Sequence, residues 1–394
     1  MKKVALSLAS VLVAATFAPE ASAVPSFARQ TGMACSACHM QHFPSLNGFG
    51  RAFKADGFTM MGAQEKIEGE HLSIPAVLNT SILLKAQYRI TNGDATTVAT
   101  NDGAWKVPDE FGLFFGGRLA DTEHLKVGTL IEHDMSTIVG FRIPMVTDIG
   151  GLKLSVIPFL TDALGPFYGY TESSTGLNRA VRWNEHHADI SAHRYVGMAT
   201  GSASGLTFMA KADLGYVALT RWTPNFPLSS QSMSLNLVHA AVTTDIAGFD
   251  TVLTAEYISG TEKVADYTTV YFTDGAEYKA GGFTAQANGE MAGMESTFYA
   301  TYAKGGAGAY SSKQAFTVGG DVTVIPHALH LGAAYRNGKD GADVSDNAIS
   351  LMATYDLAQN LALQATYSMY SGDKYNTAQA AGDSQASFLL ESAW

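Results

Sequence analysis

From about Ser73 to the C-terminus, apolar and polar residues alternate with a period of two, the signature of half-buried β-strands. Leu125, Val127 and Ile131 fall on one face of such a segment, and Leu152, Leu154 and Val156 alternate with Lys153 and Ser155. Leu361, Leu363, Ala365 and Tyr367 alternate with Ala362, Gln364, Thr366 and Ser368. Asn236–Thr243 and Ile349–Tyr355 repeat the pattern. Asn92-Gly93-Asp94, Thr273-Asp274-Gly275 and Arg336-Asn337-Gly338-Lys339-Asp340-Gly341 read as turns between strands.

Two closed-sheet classes fit this pattern, a soluble sandwich or barrel and a transmembrane barrel. Three features select the second. Phe167, Tyr168, Tyr170, Phe298, Tyr299, Tyr302 and Tyr310 recur near strand ends, as aromatic girdles at the membrane interfaces require. The face opposite the apolar one is rich in Gly, Ala, Ser, Thr and Gln, which suits a wet or plugged lumen. The last segment, Ala386–Trp394, sets Phe388, Leu390 and Trp394 on one face and ends on an aromatic residue, as the closing strand of an outer-membrane barrel does. At about 20 residues per strand with its connection, Ser73–Trp394 accommodates about 16 strands. The expected fold is therefore all-β: a transmembrane antiparallel β-barrel over residues 73–394, preceded by a small domain over residues 24–72.

The first residues are different in kind. Lys2 and Lys3, an apolar stretch from Val4 to Phe17, and Ala21-Ser22-Ala23 form the three parts of a secretory signal, so residues 1–23 are expected to be removed. No later segment approaches the roughly 20 consecutive apolar residues of a spanning helix. The formal net charge is −11, and −12 once Lys2, Lys3 and Glu20 leave with the signal. Such an acidic chain argues against nucleic acid as a partner.

The two cysteines of the chain, Cys35 and Cys38, precede His39 in the order Cys-Ser-Ala-Cys-His. Cys-x-x-Cys-His is the attachment motif for c-type haem: two thiols add to the two vinyl groups of the porphyrin, and the histidine that follows offers a ring nitrogen to the iron. A thioredoxin-like site calls for a βαβ setting and a zinc site for a second pair of ligands, and the sequence has neither. Export from the cytoplasm agrees with this chemistry. The expected cofactor is one covalent haem c on Cys35, Cys38 and His39, with Met60 favoured over Met61 as the distal ligand. Met33 and Met40 lie too close to the motif in sequence to reach the opposite face, and His42 and His71 are the imidazole alternatives. Ser45–Lys54 is expected to hold a short helix weakened by Gly48 and Gly50, with Arg51 or Lys54 available to the haem propionates. A domain of some 45 residues struggles to bury a core alone and is expected to lean on the barrel, in its lumen or at its periplasmic side.

Val24–His39, followed by Phe43-Pro44 and Phe49-Gly50-Arg51-Ala52-Phe53-Lys54, resembles the fused cytochrome–porin family, outer-membrane monohaem cytochromes of iron-oxidising bacteria. The resemblance covers roughly residues 25–60. It implies single-electron transfer from extracellular Fe(II) to periplasmic carriers such as a c-type cytochrome, with Cys35 and Cys38 as thioether positions and His39 as proximal ligand. One haem moves one electron, which matches Fe(II)/Fe(III). Two rival functions share the sequence features: a diffusion porin with a haem-bearing plug, and outward electron transfer to an extracellular acceptor. Glu185, His186, His187, Asp189 and His193 form the densest group of candidate iron contacts, a carboxylate–imidazole set suited to Fe(II), although such a cluster is more often a solvated loop of a polar barrel. Glu132, His133 and Asp134 are expected at a rim or in the lumen, as are Arg118 and Arg142. His327 and His330 have no spacing that points to a metal.

Overall fold

A computed structural model describes residues 25–394 apart from 41–44, 63, 135–136, 174–189, 225–231, 267–270, 311, 342 and 377–379. Two helices come first, α1 (Ser26–Thr31) and α2 (Gly48–Ala55), and between them Cys35–Ala37 makes one 3₁₀ turn. A small hairpin follows, β1 (Lys66–Gly69) and β2 (Leu72–Pro75), paired through Ile67 and Ile74.

The barrel begins at Thr80, some residues later than the alternation suggested, because Leu72–Pro75 pairs within the hairpin and not with the barrel. Its strands are β3 (Thr80–Thr91), β4 (Ala104–Asp121), β5 (Lys126–His133), β6 (Ile138–Arg142), β7 (Met145–Ile149) and β8 (Leu152–Thr161). Next come β9 (Ala203–Ala212), β10 (Gly215–Thr223), β11 (Leu235–Ile246), β12 (Phe249–Asp266), β13 (Tyr271–Met291) and β14 (Met294–Gly308). The circuit ends with β15 (Lys313–Ile325), β16 (Leu329–Asp340), β17 (Val344–Ser345), β18 (Asn347–Ala358), β19 (Leu361–Ser371) and β20 (Ser384–Ala393). Neighbours pair antiparallel, and β20 closes on β3 with Phe388 opposite Tyr88. β6 and β7 share one position between β5 and β8, interrupted at Pro144, which has no N–H to donate. β17 extends β18 in the same way, so the closed barrel has 16 staves.

On strands such as β19 and β20 burial is inverted relative to a soluble protein. On β19, Leu363 and Tyr367 are 39% and 44% exposed, whereas Gln364 and Ser368 are 1% exposed. Phe388, Leu390 and Trp394 likewise face outward. The apolar face meets lipid and the small polar face lines the lumen, the arrangement that satisfies a closed sheet in hydrocarbon. Among the described residues no helix is long and apolar enough to cross a membrane.

The two rims differ. At one, strands join through tight turns such as 150–151, 213–214, 247–248 and 359–360. At the other lie the long connections, the longest being residues 162–202 between β8 and β9. Short turns mark the periplasmic rim of this barrel class and long loops the outer one. The described parts of this connection, 162–173 and 190–202, fold inward. Its helix α3 (Ala192–Val196) and the residues Phe167, Tyr168 and Tyr170 are buried. This corrects the expectation that these aromatics belong to an interface girdle: their rings pack against lumen groups, Phe167 edge-on to His239 at 5.5 Å and Tyr170 to Tyr216 at 5.0 Å. Tyr299 and Tyr310 are also buried, while Phe298 and Tyr302 keep the outward position expected of them. Thr273-Asp274-Gly275 is no turn either. It lies in β13, with Asp274 opposite Lys263, because this hairpin continues as paired strand beyond the point where local turn chemistry suggested an end.

Candidate functional site

Of the described residues before the barrel, α1 and α2 sit in the lumen at its periplasmic side. Asp250 and Asn288, near the short-turn ends of β12 and β13, receive the start of α2: Arg51 binds both Asp250 oxygens at 2.6 and 2.7 Å, and Asn288 donates to the Leu46 carbonyl at 3.0 Å. At the other end of α2, Asp56 pairs with Lys153 and lies 3.9 Å from Lys126, both at short-turn ends of strands. The helix therefore bridges the lumen from wall to wall. Gln30 of α1 secures the second layer. Its Nε2 donates to the carbonyls of Phe58 and Met60, each at 2.7 Å, and its Oε1 accepts from Asn79 at 3.2 Å and from the Arg118 amide at 3.0 Å. Phe53, Ala55 and Phe58 are thus buried with the help of the barrel wall, as the small size of the segment requires.

The Cys-x-x-Cys-His turn is built against the start of α2. The Cys35 carbonyl accepts from the amides of Cys38 at 3.1 Å and His39 at 2.9 Å. Asn47 caps α2 through Gly50 N–H at 2.9 Å, donates to the Ala37 carbonyl at 3.1 Å, and donates its own amide to the Cys38 carbonyl at 3.0 Å. Gly50 then passes directly beneath the motif. A Cβ there would lie 2.1 Å from the Cys38 carbonyl oxygen, so the glycine that weakens the helix is what lets helix and motif touch. Gly50→Ala is accordingly expected to displace the turn and to cost about 1–3 kcal/mol of local stability. Faster protease cleavage within the N-terminal segment, with the barrel intact, is the measurable consequence, and a cleavage rate equal to wild type would refute the contact.

Cys35, Cys38 and His39 line a single cavity of about 200 Å³ together with Phe27, Phe53 and Phe58 from the plug. Phe27 stacks on Phe58 at 4.9 Å and meets Phe53 edge-on at 5.3 Å. Leu164, Phe167, Tyr168 and Thr171 of the inward loop complete the lining with Lys85, Glu110, Glu132 and Arg142 of the barrel wall. Both cysteines are free thiols, and burial pushes the Cys38 thiol up. The His39 ring contacts the Ser45 carbonyl through Nδ1 at 3.1 Å. A carbonyl only accepts, so Nδ1 carries the proton, and in the neutral ring the lone pair is on Nε2.

Other expected residues are distributed differently. Met60 is half-buried but outside the cavity lining, whereas Met33 is in it. Arg51, offered for haem propionates, is instead committed to Asp250 and lies outside the lining, while Lys54 is inside it. Glu132 and Arg142 line the lumen as anticipated, and Arg118 donates to Ser73 of the hairpin at 2.7 Å. His42, Glu185, His186, His187 and Asp189 fall outside the described residues. His193, the described member of that group, is buried against Glu256 at 3.2 Å. Among the described residues no three His, Cys, Asp or Glu side chains are gathered as a metal site. His330 is in the lumen wall, 3.5 Å from Asp356.

The sequence profile of Gram-negative porins matches residues 145–375. No curated protein matches the sequence. Among solved structures, the outer-membrane expressed OmpT of Vibrio cholerae superimposes with a TM-score of 0.54 at 13% identity, covering 84% of this chain and 100% of that one. A porin of Rh. blastica carrying E1M and A104W gives a TM-score of 0.51 at 11% identity, covering 81% of this chain and 100% of that one. At these identities the likeness concerns the barrel fold.

Proposed function

Since this chain belongs to the Gram-negative porin family, we propose that it is a single-electron-transfer protein of the bacterial outer membrane, a porin barrel with one c-type haem on Cys35, Cys38 and His39. Extracellular Fe(II) is the proposed donor and a periplasmic c-type cytochrome or similar carrier the acceptor. The resemblance of Val24–Lys54 to the fused cytochrome–porin family supports this reading. The observation that carries it is the meeting of both thiols and the imidazole in one lumen cavity walled by phenylalanine rings.

The residues fit the group. Two free thiols are what thioether formation needs, and an imidazole that donates through Nδ1 to a backbone carbonyl has the arrangement of a metal-bound histidine. Cys35 and Cys38 would hold the porphyrin edge and His39 the iron. Met60, the distal ligand chosen on spacing, stands outside the cavity lining; Met33, set aside as too near the motif to reach the opposite face, is inside it. When bound, a haem supplies a one-electron couple tuned by its ligands and by the burial around it.

The chain's own residues do the rest. Phe27, Phe53 and Phe58 make the plug side of the cavity apolar, which limits water beside the motif. α2 and its anchors floor the lumen toward the periplasm, and the inward loop covers the other side. Fe(II) gives up one electron outside and the carrier gains one inside, so the poorly soluble Fe(III) product stays out of the periplasm.

Anaerobic stopped-flow mixing of the oxidised protein with Fe(II) is expected to reduce the haem at a rate that rises with iron concentration. Lack of reduction removes Fe(II) as donor. A haem-free protein purified from cells competent for cytochrome maturation removes the haem itself. Family membership favours a second reading, a diffusion pore with a haem-bearing plug, which conductance separates from the first.

A further inference from the structure

Lys54 has unusual surroundings for an ammonium group. It sits on α2 in the cavity lining, partly buried, donates to the Thr171 carbonyl and lies 5.6 Å from the centre of the Tyr170 ring. Among the described residues it has no carboxylate within ion-pair distance. Glu172, whose charge favours the ammonium, is already held by Lys211 at 2.7 Å, by the Tyr170 hydroxyl at 2.5 Å and by Arg51 at 3.9 Å. A second cation faces the same space. The Arg142 guanidinium is stacked 4.5 Å from the Tyr168 ring and donates to the Tyr168 carbonyl at 3.2 Å. Lys85, the remaining cation of the lining, differs from Lys54 in having Glu110 at 2.6 Å and Glu391 at 3.9 Å. Glu132 is the lining carboxylate on the Arg142 side, near Tyr168.

Burial and the Arg142 charge hold the Lys54 ammonium down to about 7, the response of a cation taken from water and placed beside another. An anion in the cavity relieves both costs, because charge-assisted hydrogen bonds to lysine and arginine strengthen where water is excluded.

We infer that the Lys54–Arg142 corner of the cavity is the seat of a carboxylate. Under the haem reading, on which the inference rests in this form, the carboxylate is a haem propionate; a free small carboxylate is the other source of the same chemistry. The seat would then help to position the cofactor and would raise its potential, since a nearby positive charge favours the reduced form.

The test uses full-length holoprotein as wild type, Lys54→Gln, Lys54→Arg and Arg142→Gln, each assayed for haem content and then titrated for midpoint potential. Lys54→Gln and Arg142→Gln are expected to keep haem while weakening reduction about tenfold, 59 mV for one electron. Lys54→Arg is expected to restore the wild-type potential, and the propionate vibrations in resonance Raman spectra should shift in the glutamine variants alone. A second arm titrates the haem-free Cys35→Ala/Cys38→Ala chain with succinate by calorimetry, with and without Lys54→Gln. Unchanged potentials and spectra together with Lys54-dependent succinate binding assign the seat to a free carboxylate. Unchanged potentials and no succinate binding overturn it. Absence of haem from the wild type is instead a failure of the haem reading, and the succinate arm then decides the seat alone.

Discussion

Replacing both Cys35 and Cys38 with alanine is expected to take covalent haem from one per chain to none while the barrel still assembles. The reason is the separation of roles in the N-terminal segment. The two thiols form no disulfide, and the hydrogen bonds that shape their turn are made by backbone groups and by Asn47. Shortening two partly buried side chains to alanine there costs roughly the transfer energy of the sulfur-bearing groups, about 1 kcal/mol each. The lumen face and the β20–β3 seam that close the barrel do not involve them. Haem-peroxidase staining on a denaturing gel, paired with heat-modifiable migration of the folded barrel, reads both halves of the prediction. A variant that keeps its stain would disprove thioether attachment at these positions. Loss of the barrel along with the stain would show that the motif is needed for the fold.

Arg51→Ala is expected to have the greatest effect on the plug. Its guanidinium is 4% exposed, binds Asp250 through two short bonds, donates to the Leu46 carbonyl at 3.1 Å and lies 3.9 Å from buried Glu172. Removing one member of a buried ionic network costs about 3–5 kcal/mol, because the remaining charges lose a partner without regaining water; the partial exposure of Asp250 places the value at the low end. Asp56 and its lysines still tether the far end of α2, so the floor is expected to open at one side. In planar bilayers the wild type should show small, infrequent openings, and the variant a several-fold larger mean conductance. If the wild type already conducts as an open 16-stave barrel and Arg51→Ala changes nothing, the plug is no barrier and the diffusion-pore reading prevails.

How legible this protein is depends on the range of the interaction concerned. Lipid on one side and a polar lumen on the other impose alternation on every strand. The outward set Leu361, Leu363 and Tyr367 and the inward set Gln364 and Ser368 can therefore be read from neighbouring residues alone, as can the closing strand at Phe388–Trp394 and the approximate strand number. The haem motif is legible for a similar reason, since its spacing is set by the chemistry of one ring edge. Aromatic residues carry less information. Tyr302 and Phe298 face lipid, yet Phe167, Tyr168 and Tyr170 look no different in sequence and line the lumen, because a long connection can fold either outward or inward.

The sequence by itself determined the barrel, its facing and the three residues proposed to anchor a haem, since each follows from periodicity or from fixed local spacing. Only the tertiary structure decided that the plug crosses the lumen, that Arg51 serves Asp250 while Lys54 enters the cavity, and that Met33 lines it where Met60 does not. Those outcomes depend on pairs such as Arg51 and Asp250, 199 positions apart, and no local pattern records which wall a short helix will meet once the sheet has closed around it.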